Sequence, residues 1–441
     1  MKKQLKIITS VLFLAILISM ACNANAMANI KNFTLKTKKM SVLIGKQKEL
    51  KTSEYDTLEA DGVYFDGGEY VKWSVVSGEE HIELSKKSEI SVTITGLSKG
   101  NSKIKAELHD NYPGSPVKST CTCTIKVKAN PEGTQLIDFV KKINKKGGEI
   151  KTSLDKKNFT WSGRKLVGMT FTKEKDLPES VQIPAFKNLK WLKIRRAEKL
   201  KNLDVSKCKT LENIKFSYCE LSNLNINGHK ALTKISYISN KITNLKMTNC
   251  PSISSLDCSQ NKIEKFDLSG CYNLQKLNCE KNSLKNLDLS ECPNIQILNC
   301  NNNQFKQLDF SVCPSIKKVY CKKNQFKQLD LSKCPNIQYI VCDGNQLKQL
   351  DVSNCTNLIW ISCNRNVLKE IDLNDCINLQ YLDCEHNKLE NLDLSKCTKL
   401  ERVYCQSNNL TNLDFSLCPE IKYEYEFVQL SYDEDKVEIT W

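Results

Sequence analysis

Between Leu211 and Glu420 the apolar positions return every 21 residues without a gap. In one unit they are Leu274, Leu277, Cys279, Leu284, Leu287, Leu289 and Cys292. Within each half of the unit the apolar residues alternate with polar ones over a few positions, the period of a short strand with one buried face. The pattern therefore predicts two short strands per unit, with successive units stacked in parallel at about 4.8 Å. Upstream, Leu136, Ile137, Phe139, Val140 and Ile143 recur at helical spacing between Gln135 and Lys146, and Gly147 and Gly148 supply the stop. Before them, alternating runs such as Val71, Trp73 and Val75, or Val92 and Ile94 after Ile90, predict short strands separated by turn residues.

A short unit reading L-x-x-L-x-L-x-x-N-x-L at fixed period is the mark of a leucine-rich repeat, in which no unit buries its apolar side until a neighbour stacks on it. The predicted fold is mainly β: a leucine-rich repeat solenoid of about 12 coils with a helical N-terminal cap, preceded by an immunoglobulin-like β-sandwich. The divisions are 1–26 as a leader, 27–129 as the sandwich, 130–165 as the cap, 166–421 as the repeats and 422–441 as a C-terminal β cap. The row of Asn240, Asn261, Asn282, Asn303, Asn324, Asn345, Asn366, Asn387 and Asn408 falls where each coil turns inward. An amide there can bond backbone with both its carbonyl and its NH₂ group, so these residues are read as structural.

The first residues change the picture of where the chain works. Lys2 and Lys3, an apolar run from Ile7 to Ala21, and Ala24-Asn25-Ala26 have the order of a secretory signal cleaved after Ala26. Lipid attachment at Cys22 is the alternative reading, with Ser19 standing where such signals usually carry Leu. No later stretch approaches the ~20 apolar residues of a membrane span. The expected location is extracellular, secreted or held at the cell surface. The net charge of +15 favours anionic partners such as a cell-wall polymer, while no nucleic-acid motif accompanies it.

Twenty-two cysteines in an exported chain would ordinarily suggest disulfides. Here they follow the period. One row is Cys258, Cys279, Cys300, Cys321, Cys342, Cys363, Cys384 and Cys405, where Phe216 and Tyr237 fill the two earlier coils. The other runs from Cys208 and Cys250 to Cys418, with His229 in its single gap. Phe and Tyr in the first row mark it as inward, so the thiols are expected as buried, reduced ladders. A metal site needs ligands converging at short loop spacings, not rows along an axis.

Catalytic patterns are sparse: the four histidines are scattered, and no zinc-protease, phosphate-loop or EF-hand motif occurs. No enzyme activity, cofactor or metal is expected. The Asp row from Asp267 to Asp414 lacks the glycine-rich turns of a calcium-binding roll and is read as bonding the adjacent turn. The informative positions are those the coil leaves outward. On the first strand they gather Tyr320, Tyr339, Val341, Trp360, Tyr381, Arg402 and Tyr404 in the later coils, the composition of a surface that binds a protein or a glycan. A second outward row, Lys285, Lys306, Lys327, Lys348 and Lys369, has the spacing to follow a linear polyanion.

Two resemblances attach to these motifs. The array with its Cys rows resembles bacterial surface leucine-rich repeat proteins of the internalin type, which implies recognition and adhesion. The stretch from Val92 through Gly96, Leu97 and Gly100 to Ala106, with Trp73 upstream, resembles the bacterial immunoglobulin-like domains of group 2, which implies a spacer.

Overall fold

The computed structural model describes residues 12–17, 39–43, 47–53, 69–79, 82–85, 91–96, 99–110, 117–128, 130–150, 158–172, 177–421, 430–433 and 435–440. The chain divides into two compact units. The first comprises 1–171, 175–178 and 183–191; the second comprises 172–174, 179–182 and 192–441.

In the first unit the predicted strands are present and pair into two four-stranded sheets. One has the order Leu12–Leu17, Gln47–Ser53, Ser91–Gly96, Ile82–Ser85. The other has Lys39–Leu43, Val117–Lys128, Gly100–Asp110, Glu69–Ser77. Part of the apolar leader thus lies alongside Gln47–Ser53 as a parallel strand. Ile90 falls outside the described residues, as do the side chains of Trp73, Cys121 and Cys123.

A helix, α1, spans Pro131–Lys145 and starts four residues earlier than its apolar spacing predicts, because Pro131 suits a first turn whose N–H groups have no partner anyway. Its predicted apolar set, Leu136, Ile137, Phe139, Val140 and Ile143, is buried. Gly147, with φ of 91°, allows Gly148 to donate back to the carbonyl of Ile143. The carboxylate of Glu132 accepts from the backbone N–H of Leu166 at 2.5 Å and from Asn188 Nδ2 at 2.7 Å. Those two bonds pin the helix to the strand Lys165–Phe171 and to the first leucine-rich turn.

The second unit is the solenoid. Ten first-half strands, from Asn213–Ser217 to Arg402–Tyr404, follow one another at the 21-residue spacing. Consecutive strands that pair are parallel and in register, Asn213 opposite Lys234 and so on to Tyr381 opposite Arg402. Second-half strands form a shorter ladder from Ser180–Gln182 to Lys265–Asp267, and Gln328–Asp330 pairs with Gln349–Asp351. All seven positions predicted inward in the quoted unit are buried.

Asn303 shows how the Asn row closes each coil. Its NH₂ group lies 2.9 Å from the carbonyl of Cys279 and 3.2 Å from that of Cys300, and its Oδ1 accepts from Leu284 N–H at 3.0 Å. One side chain therefore satisfies backbone of two coils. The residue just before each such Asn takes left-handed backbone, as in Lys281, Asn302, Lys323, Gly344 and Arg365. A second ladder, not foreseen, runs along the exposed side: Asn273, Asn294, Asn336, Asn357 and Asn378 each donate to a carbonyl one coil back. The Asp row does bond its own turn; Asp330, for example, accepts from the backbone N–H of Ser332 at 2.9 Å and from its hydroxyl at 2.7 Å.

Both Cys rows are buried, and among the described residues their thiols form no disulfide. His229 completes the second row from inside, with Nδ1 2.8 Å from the carbonyl of Ile226 and Nε2 3.1 Å from that of Val205. The segment expected to be a C-terminal β cap contains two described strands, Leu430–Ser431 and Glu438–Thr440. Leu430–Ser431 pairs in parallel with Arg402–Tyr404 and Glu438–Thr440 with Asn412–Asp414, so it continues the stack at a longer spacing. Tyr423, Tyr425, Phe427 and Trp441 lie outside the described residues.

Candidate binding face

The first-half strands set their middle residue inward and the flanking two outward, which brings one aromatic per coil onto a common stripe. Tyr339, Trp360, Tyr381 and Arg402 stand in register on four consecutive strands. Trp360 and Tyr381 stack face to face, with ring centroids 3.4 Å apart and planes within 5°. Tyr404, one coil on and two residues along its strand, adds a tilted contact to Tyr381 at 5.5 Å and 46°. Tyr339, in the coil before Trp360, has the ammonium of Lys318 4.1 Å from its ring centroid. Among the described residues Tyr381 is the ring found in contact with Trp360, which is itself partly exposed.

Six of the seven predicted residues are thus on the face and at least partly accessible: Tyr320, Tyr339, Trp360, Tyr381, Arg402 and Tyr404. Val341 is the correction. It is only 8% exposed, because its row dips inward in these coils, where Ser362 (6%) and Asp383 (9%) are also buried.

The dip holds a polar network that the residue types alone did not reveal. The Ser362 hydroxyl lies 2.5 Å from Oδ1 of Asp343 and 3.2 Å from Oδ2 of Asp383. Asn364 donates its amide to Asp383 at 2.7 Å and its backbone N–H to Asp343 at 3.3 Å. Lys322 forms an ion pair with the second oxygen of Asp343. Asp383, by contrast, has no cationic partner among the described residues and accepts from the Asn364 amide and the N–H of Glu385, since the single Ser362 proton goes to the nearer Asp343. The Tyr381 hydroxyl is correspondingly hard to ionise. Burial, followed by the charges of Asp383 and its neighbours, pushes its pKa up to about 12. The signal that could have found this network is the position just after each inward Cys, where Lys322, Asp343, Asn364 and Glu385 follow in consecutive coils.

Lys285, Lys306, Lys327, Lys348 and Lys369 are all exposed on consecutive coils, away from the first strands. Among the described residues none is in an ion pair, since the nearby Asp row is engaged with its own turns. No group of His, Cys, Asp or Glu among the described residues is arranged to hold a metal ion.

No protein-family model matches the chain, and no curated protein sequence matches it. Among solved structures, the functional domain of InlJ from Listeria monocytogenes, which includes a cysteine ladder, is similar at 28% identity and a TM-score of 0.46. That match covers 52% of this chain and 54% of the Listeria domain, so the chain spans about half of it. YopM from Yersinia enterocolitica is similar at 19% identity and a TM-score of 0.40, covering 62% of this chain and 68% of that one. A chain of the glycosylated Toll–Spatzle complex of Drosophila gives 14% identity and a TM-score of 0.49, covering 60% and 40%. No helix among the described residues is long and apolar enough to cross a membrane.

Proposed function

We propose that this chain is an exported, non-enzymatic recognition protein of the internalin type that binds a protein or glycan through the strand face of its solenoid. The leader delivers it outside the cell, either cleaved after Ala26 or lipid-anchored at Cys22. The two-sheet region acts as an immunoglobulin-like spacer. The observation that carries the reading is the stack of Trp360 on Tyr381 on an outward strand face. Two rings held parallel by the coil spacing lose little freedom on binding, the property of interface anchors. Screening the full chain on protein and glycan arrays, beside Trp360→Ala, tests it. The substitution is expected to weaken capture at least tenfold and leave the thermal midpoint in place. Equal loss of capture and stability would sink the reading.

A second reading, a structural role at the wall in which the Lys ridge holds an anionic polymer, is favoured by one observation. The five ammonium groups stand exposed on consecutive coils without ion pairs among the described residues. Like charges at a regular rise add along a linear polyanion and are screened by salt. Glu at Lys306, Lys327 and Lys348 should abolish retention on an anionic polymer; retention that persists in high salt would exclude the ridge.

A further inference from the structure

We propose that the ring stack of Trp360, Tyr381 and Tyr404, together with the buried carboxylate of Asp383, is a seat for a basic side chain, arginine or lysine, of a partner protein. The inference rests on the strand face being the binding surface and names the chemistry that face takes.

Three features of the network choose a cation. The first is what the face has left to offer. A neutral sugar is held by hydroxyls and amides free to pair with it, but here the Ser362 hydroxyl and the Asn364 amide are already engaged with Asp343 and Asp383. Ring faces and the Asp383 carboxylate remain, with Arg402 at the rim. The second is the difference between the two carboxylates. Lys322 pairs with Asp343, whereas among the described residues no cation pairs with Asp383, which Asn364 and the N–H of Glu385 hold opposite Tyr404. A carboxylate in place before the partner arrives, removed from bulk water, attracts a cation more strongly than one exposed to it. The third is the rings themselves. Trp360 and Tyr404, at the two ends of the stack, are partly exposed, and a guanidinium or ammonium over a ring face gains an attraction that adds to that of the carboxylate.

Arg402 supplies an internal control. It is exposed and stands opposite Tyr381 in the next coil, so it brings like charge to the rim of the seat. If the partner group is basic, removing Arg402 strengthens binding. If Arg402 is itself an anchor for an acidic or neutral partner, removing it weakens binding.

The experiment is selection from a display library of extended peptides on the full chain and on Trp360→Ala, with a glycan array probed in parallel. Peptides enriched only on the unaltered chain are expected to carry Arg or Lys. Their affinity should fall about tenfold with Asp383→Asn and rise with Arg402→Ala. Asn already occupies the Asp383 row at Asn278 and Asn299, so that substitution preserves the coil. Trp360-dependent enrichment of acidic or neutral peptides, or of glycans alone, would overturn the cation seat and leave the binding face standing. So would basic peptides indifferent to Asp383→Asn. Absence of any Trp360-dependent capture would overturn both.

Discussion

Tyr237 stacks on Phe216 at 5.9 Å and 21°, in the slot that every coil from Cys258 onward gives to a thiol. The two rings fill the wide early core, but the Tyr237 hydroxyl is buried without a hydrogen-bond partner. Its ionisation is driven well up by burial and then by Cys250 and Cys258, so it is a neutral, unpaired polar group. Removing it while keeping the ring restores no lost bond and deletes an unmet one. Tyr237→Phe should therefore stabilise the chain by roughly 1 kcal/mol or more, read from denaturant midpoints. Tyr237→Cys should destabilise it, because a thiol leaves most of the ring's volume empty. A Phe variant less stable than the parent would contradict this account.

The left-handed row before the Asn ladder makes a second prediction. Lys323 has φ of 53° and Arg365 φ of 55°, whereas Gly344 between them adopts φ of 63° without strain. A side chain in this region costs about 1–2 kcal/mol, partly offset by the greater freedom glycine has when unfolded. Lys323→Gly should therefore raise stability by up to about 1 kcal/mol, and Gly344→Ala should lower it by a similar amount. The added Cβ at position 344 would meet only Cγ of Lys323 at 3.6 Å, so the loss would report backbone conformation and not a clash.

The thiol ladders predict how the solenoid fails at high pH. Burial raises Cys271, Cys292, Cys334 and Cys355 from the ordinary thiol value of 9.0 to about 12. A group that holds its proton more firmly when folded contributes stability that is complete below pH 9.0. That stability drains as pH rises toward about 12, the folded value. Thermal midpoints should thus fall steeply above the ordinary thiol value, several groups titrating together. Alkylating reagents should label these thiols only through unfolding; rapid labelling of the native chain near neutral pH would rule this out. The turn carboxylates act at the other end. Asp267, Asp330 and Asp393 are lowered below 3.8 by bonds from the following Ser, so their small contribution is present above that value and lost as pH falls through the folded one.

Most of the coil was legible because its demands repeat. Leu277, Cys279 and Asn282 recur at a period only a stacked coil explains, and the structure buries the Leu and Cys and ties down the Asn. The left-handed row was invisible, since Ser239, Gln260, Lys281, Arg365 and His386 share no chemistry and only their backbone is alike. The binding face was half legible. That Trp360 and Tyr381 are outward follows from strand alternation, but their face-to-face stack depends on side-chain rotation, which the repeat pattern does not state. The burial of Val341, Ser362 and Asp383 depends on three coils at once, which no single repeat unit states.

The two Asn ladders allow a direct comparison of what burial adds to a hydrogen bond. Asn303 is buried, and its loss would strand the N–H of Leu284 and leave the carbonyls of Cys279 and Cys300 short of a donor where water does not reach. Asn294 makes one comparable bond, 2.9 Å to the carbonyl of Tyr272, but on an exposed edge where water can take its place. The geometry of the bonds is similar; the difference is the solvent available to the groups left behind. Asn303→Ala should destabilise the solenoid by about 3 kcal/mol, and Asn294→Ala by less than about 1 kcal/mol, in parallel urea titrations. The larger effect should also be local. Hydrogen exchange at Leu284 and the adjoining turn should accelerate in Asn303→Ala before coils further along the stack respond, because each coil touches only its neighbours. Equal losses from the two substitutions would mean that the inner ladder holds the coils no more firmly than the outer one.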